Sequence, residues 1–289
     1  MKKKEEVPPA SAPAAQQPPV AAAKETALQT IPDGGELQKS AFNDMLAEDA
    51  GAGLGNMGAN DFAIPFISIL QKGSPQVSRA NAKFIDGTAP GDIMNTVTQE
   101  IYDGREGILF IPCGYMKSIV RWKSRDSGGG LVSHHKEGDP ILRTLKRNER
   151  GQLVHEESGD VFIDTAYHFG LLLHGEAPPE WAVVSMYSTQ LKKSRMWNTT
   201  MRRIVMRGSQ GSFNPPSFSH QYRMTTVGET KDTYDWFGWK VAVESQVSDL
   251  DVYKMAREFS KQVEEGNVRI SAPPQVFEEE EGAEEKVPF

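Results

Sequence analysis

GILFIPCGYMKSIVRW, Gly107 to Trp122, is the stretch on which the fold turns. β-Branched and aromatic residues fill it, the composition of a pleated, half-buried strand. Its second half alternates: Tyr115, Lys117, Ile119 and Arg121 fall on one face, and Met116, Ser118, Val120 and Trp122 on the other. Pro112 and Gly114 predict a bulge or bend that divides the run in two.

Working outward, Asp103-Gly104 makes a turn before it, and IMNTVTQEIY lies between that turn and earlier ones at Asp86-Gly87 and Pro90-Gly91. Order begins at Asp61, in DFAIPFISILQKGSPQV. Pro65 excludes a regular helix across the start of that run and leaves room for a short one from Phe66. On the other side, Leu131 to Asp160 is polar and turn-rich, a long hairpin or loop with KRNERGQ at its middle. VFIDTAYHFGLLLHG (Val161 to Gly175) and PPEWAVVSMYS read as strands, the second apolar enough to be central. Ser217 to Val227 is another strand, turning at Gly228 to Lys231 into Thr233 to Gln246, which alternates well. A last helix starts at a cap formed by Ser248 and Asp249, carries Val252, Met255, Ala256 and Phe259 on one face, and ends at Gly266. Five to eight strands, one internal helix and one terminal helix make a mostly β protein with α elements, of the α+β class.

The ends have another composition. Residues 1–60 hold VPPASAPAAQQPPVAAA and AGAGLGNMGAN, the content of a disordered arm, with a short helix at Leu37 to Leu46. Residues 61–270 are the core, and 271–289 an acidic tail. Among 289 residues 38% are hydrophobic and 25% charged; the apolar runs are too short to span a bilayer, and MKKKEE begins no secretory signal. The single Cys113 excludes an internal disulfide and a cysteine-based zinc site, so a reducing cytoplasm is expected. No cofactor and no metal are expected: His134 and His135 point to opposite sides of an extended chain and make a poor joint site, with His155 further on.

Charge is segregated. The tail sets six carboxylates against Lys286, and residues 1–62 set nine acids against five lysines, so the net −7 of the chain leaves +2 on residues 63–277. Two stretches concentrate the cations. In RWKSRDSGGG, Arg121, Lys123 and Arg125 surround Trp122 beside a glycine loop; with Tyr115 and Lys117 they suit a clamp whose cations meet phosphates and whose rings stack bases. In TQLKKSRMWNTTMRRIVM, Thr189 to Met206, there is no acid at all, and Lys192, Lys193, Arg195, Arg202, Arg203 and the following Arg207 frame Trp197 on a helix. Tyr222 with Arg223 repeats the pairing. These fifteen residues are the candidate nucleic-acid contacts.

The chain closes on EEEEGAEEKVPF, Glu278 to Phe289, a solvated acidic run ending in Pro288-Phe289. It resembles the C-terminal tip of bacterial single-stranded DNA-binding proteins and the acidic, Phe-ended tails of some phage single-stranded DNA-binding proteins. The core shows no motif of the bacterial family, so the resemblance is to the phage type. It implies an elaborated OB-fold-like barrel and a non-enzymatic role in replication, recombination and repair. In that role Glu284, Glu285, Val287, Pro288 and Phe289 recruit partner proteins, and the tail competes with DNA for the groove. The compartment is then the host cytoplasm, and a homo-oligomer is among the expected partners. Two alternatives stand beside it: a single-strand annealing recombinase working as a ring, and a metal-dependent nuclease using Asp160 and Asp164 with nearby histidines.

Overall fold

A computed structural model describes residues 36–49, 52–53, 63–124, 130–149, 151–175, 177–231, 233–268 and 270. The chain divides into two units, residues 1–56 and 57–289. In the first, the helix read at Leu37 to Leu46 is α1 (Glu36–Glu48), with Phe42, Met45 and Leu46 exposed.

The second unit follows the order β1 (Phe66–Ile69), β2 (Ile93–Asn95), β3 (Ile101–Tyr102), β4 (Ile108–Trp122), β5 (Leu131–His135), β6 (Lys146–Arg147), β7 (Leu153–Val154), β8 (Val161–His174) and β9 (Ala177–Tyr187). Then come α2 (Gln190–Arg203), β10 (Met206–Gly208), β11 (Gly211–Phe213), β12 (His220–Lys231), β13 (Tyr234–Gln246) and α3 (Leu250–Glu264). The architecture is mostly β with α elements. Eleven strands form one sheet along the path β13-β12-β4-β8-β9-β1-β2-β3, with β5 on β4 and the β6–β7 pair on β8; β10 and β11 make a hairpin of their own. The thirteen described strands exceed the sequence reading because pairs as short as Lys146–Arg147 and Leu153–Val154 carry no periodic signal.

β4 and β8 are the spine, antiparallel from Leu109↔Leu173 to Trp122↔Val161. The expected irregularity sits between Pro112 and Gly114, and it bends β4 without ending it. Gly170 lets the two strands approach: a Cβ there would lie 2.2 Å from Ile111 O and 2.4 Å from the Phe110 ring. The short helix that Pro65 left open from Phe66 does not form. The run from Phe66 is a strand, because it pairs antiparallel with β2 and parallel with β9, and ladder bonds on both sides outweigh a local helical turn.

The sheet buries both faces. On one, Ile108, Phe110, Ala166, Leu172, Val184, Met186, Tyr222, Met224 and Trp239 pack with Trp197 of α2. On the other, Ile111, Cys113, Val120, Tyr167, Phe169, Leu171 and Val183 pack with Ala256 and Phe259 of α3. α3 begins where Asp249 accepts hydrogen bonds from Asp251 N and Val252 N at 2.8 and 3.0 Å, as its cap position predicts. Its Phe259 stacks on Trp181 at 4.9 Å. The sheet curls about α2, bringing the far end of β1 to β13: Gln71 Nε2 donates to Phe237 O and Gln71 Oε1 accepts from Phe237 N, both at 2.7 Å.

Candidate nucleic-acid interface

α2 is two-faced by sequence. Gln190, Ser194 and Trp197 recur at helical spacing and are buried against the sheet, while Lys192, Arg195, Met196, Thr199, Arg202 and Arg203 share the outer face and are exposed. Arg202 and Arg203 fill the last turn, where the helix dipole favours cations. Arg207, on the hairpin that follows, is exposed as well. No acidic residue occurs between Trp181 and Gly228, so the outer face of α2 carries no carboxylate of its own or of its flanking segments.

Beneath the helix lies a ladder of rings. Trp197 stacks on His168 at 4.3 Å and meets Phe110 and Tyr222 edge-on at 6.0 and 5.6 Å. His168 Nε2 and Ser194 Oγ are 2.8 Å apart. Burial lowers the His168 pKa to about 3, so its ring is neutral. Trp197 is 2% exposed and Tyr222 1%. That corrects the reading of both as base-stacking contacts: their faces are covered by neighbouring rings and belong to the core. The burial of Tyr222 also raises its hydroxyl pKa to about 12.

Tyr115 is different. It stands 46% exposed on β4 and meets His168 edge-on at 5.2 Å, so it lies on the same side of the sheet as α2. Lys117 shares that side, exposed, 3.6 Å from Asp164. Further along β4, Arg121 is engaged. Arg121 Nε donates to Asp160 Oδ2 at 2.7 Å and Nη2 lies 2.6 Å from the same oxygen, with the guanidinium over the Phe162 ring at 5.7 Å. Burial pushes the Asp160 pKa up, but the hydrogen bonds from Arg121, Ser158 and Ser124 N prevail and hold it below the usual carboxylate range. Arg121 is therefore a structural cation, correcting its assignment to phosphate. Trp122 is half-buried in the α3-side core. Lys123 is exposed, and Arg125 lies outside the described residues.

Two other candidates are also tied to acids. Lys193 Nζ, buried, pairs with Glu229 Oε1 without the angle of a directed hydrogen bond. Arg223 makes a fork to Glu244 at 3.1 and 3.0 Å and reaches Glu106 O at 3.2 Å. These carboxylates are distant in sequence or across a hairpin, which is why the sequence reading left Arg121, Lys193 and Arg223 unpaired. The structure thus gathers Lys192, Arg195, Arg202, Arg203 and Arg207 on and beside the outer face of α2, and places Tyr115 and Lys117 on that helix's side of the sheet.

The profile of the Pam3 phage gp34-like protein family matches residues 33–269. The chain belongs to that family. The phage character that the tail implied is thereby supported, although the matched span stops before the tail itself. Curated proteins and solved structures offer no match. In this gp34-like protein the pair read as nuclease carboxylates does not converge: Asp160 is held by Arg121 and Asp164 by Lys117. Among the described residues no group of three or more His, Cys, Asp or Glu is placed to hold a metal. His134 meets Ser118 and the Tyr167 ring, whereas His135 meets Ser133, Asp139 and the Phe162 ring, the divergence expected of neighbours on a strand. Among the described residues no helix is long and apolar enough to cross a membrane. The C-terminal residues read from the sequence as a partner-binding tip, Glu284, Glu285, Val287, Pro288 and Phe289, lie outside the described residues.

Proposed function

We propose that this gp34-like protein binds single-stranded DNA, without catalysing a reaction on it, during phage replication and recombination. The observation that carries this reading is the outer face of α2, where Arg195, Arg202 and Arg203 stand exposed on a helix whose own sequence holds no acidic residue. A concentration of positive charge of that kind attracts a polyanion. Tyr115 supplies an exposed ring for a base to stack on, worth about 1–3 kcal/mol, with Lys117 beside it. The curled sheet is read as an elaborated OB-like barrel, and the acidic Pro-Phe tail as the recruiter of replication proteins.

The test is fluorescence anisotropy of labelled oligo-dT and a matching duplex over a salt series. Wild type should prefer the single strand. Changing Arg195, Arg202 and Arg203 together to Gln should weaken binding and lower the salt slope by about 2, at about 0.7 for each phosphate no longer neutralised. Equal affinity for duplex and single strand would defeat the proposal. Strand annealing that survives removal of Phe289 would move it to the annealing recombinases.

A further inference from the structure

β13 is an edge strand, laddered on β12 alone. Such an edge presents a row of N–H and C=O groups that another chain can pair with. Its register with β12 runs without a slip from Lys231↔Tyr234 to Tyr222↔Val243, so successive residues alternate between facing β12 and facing outward. Phe237 and Trp239 are outward residues. Gln71 bonds both backbone groups of Phe237, and Gln190 Oε1 accepts from Trp239 N at 2.9 Å. Two glutamine side chains thus stand in for a neighbouring strand over the first half of the edge. By the same parity Val241 and Val243 face outward, and among the described residues nothing pairs with their backbone groups. Val243 is 44% exposed, and Ala242, Glu244, Ser245 and Gln246 are exposed around it.

We propose that Lys240 to Glu244 of β13 is the pairing site for a second copy of this chain, strand against antiparallel strand about a two-fold axis at Ala242. Self-complementarity singles out that occupant and that register. Outward residues must meet outward residues, so the axis falls on a residue, not between two. Centred on Ala242, Val241 meets the partner's Val243 on both sides of the axis, giving two exchanged pairs of backbone hydrogen bonds. Lys240 then lies opposite the partner's Glu244, twice over. Centring on Val243 would place Lys240 opposite Gln246 and forfeit both ion pairs. Arg223 already holds the Glu244 carboxylate at the surface, and Lys240 is exposed. In the Ala242 register the next outward residue is Trp239, whose N–H Gln190 occupies, so the shared ladder stops there. So short a ladder buries far less than the roughly 1,200 Å² of a stable complex; the association is weak and concentration-dependent.

This inference does not depend on DNA binding, and sedimentation velocity of the full chain over a wide concentration series tests it. Wild type should shift from monomer towards dimer. Lys240→Glu alone and Glu244→Lys alone each set like charges opposite one another at both ends and should weaken association roughly tenfold. An equimolar mixture of the two restores opposite charges at both ends and should recover the wild-type level, an outcome that damage to the fold cannot imitate. Val243→Pro removes an outward N–H, which β12 does not use, and should abolish association with the thermal midpoint little changed. A wild type that stays monomeric throughout, single variants that associate as wild type does, or a mixture that fails to recover would each overturn the proposal. None of these outcomes alters the expected preference for oligo-dT, so failure here and failure of the DNA-binding reading are told apart.

Discussion

At the scale of residues, the cations divide by what they face. Arg121 neutralises the buried Asp160, so Arg121→Ala should cost about 3–5 kcal/mol in urea denaturation by leaving that carboxylate without its partner. Arg195→Ala, at the exposed surface of α2, should stay within about 0.5 kcal/mol of wild type and show its effect in oligo-dT affinity instead. If Arg121→Ala proves stable and only weakens binding, the structural assignment is wrong. His168 and His174 pull the pH dependence of stability in opposite directions. His168 is held neutral down to about pH 3 in the folded chain, so between its ordinary 6.5 and that value the unfolded state binds the extra proton and stability falls with falling pH. The slope approaches about 1.4 kcal/mol per pH unit. His174 is raised, chiefly by its hydrogen bond to Glu180, so its contribution is full below pH 6.5 and fades as pH rises through its folded value. Urea midpoints at pH 7, 6 and 5 should fall less steeply in His168→Phe than in wild type; equal slopes would refute the assignment. Sequence composition gave the aromatic-plus-basic pattern here, but not which ring a helix would cover. Tyr115, Trp197 and Tyr222 look alike in sequence, and only the β4–β8 register and the seat of α2 separate the exposed one from the buried two.

At the scale of elements, long periodic segments were legible and short ones were not. β8, β9 and β13 lie within a few residues of their sequence bounds, and α3 carries the Asp249 cap expected of it. α2 was readable as the one segment rich in cations and free of acid. β1 was left undecided because Pro65 and an apolar run fit a short helix as well as a strand, and the decision rests with β9, far along the chain. The β4–β8 spine has its own test. Gly170→Ala should cost roughly 1–3 kcal/mol in urea denaturation, because the new methyl meets the Ile111 carbonyl and the Phe110 ring, and backbone cannot move aside as a side-chain end can. A neutral substitution would mean that the two strands lie further apart than described.

At the scale of the whole molecule, the acidic sequence pI of about 5.5 hides a mildly basic body between acidic ends. Only the separate charges of arm, core and tail point to a polyanion. Ending the chain at Gln275 removes the six carboxylates from Glu278 onward, so the shortened protein should bind oligo-dT more tightly than the full chain, most clearly at low salt where Debye screening is weakest. Unchanged affinity in anisotropy would show that the tail does not visit the binding face. The family profile spans body and α1 but neither the first 32 residues nor the tail, so the cationic face of α2 lies inside the shared region and the acidic Pro-Phe end outside it.

The parallel seam between β1 and β9 bears on how the chain acquires its shape. Phe66 and Ile67 belong to the first described strand to leave a ribosome, yet their partners Val183 and Val184 are made only after β4 and β8. Joining segments so remote in sequence is slow, because the loop entropy is lost before the ladder forms. β1 to β3 should therefore dock last, and until β9 arrives the nascent polypeptide carries a sticky apolar leader that invites chaperones or misassociation.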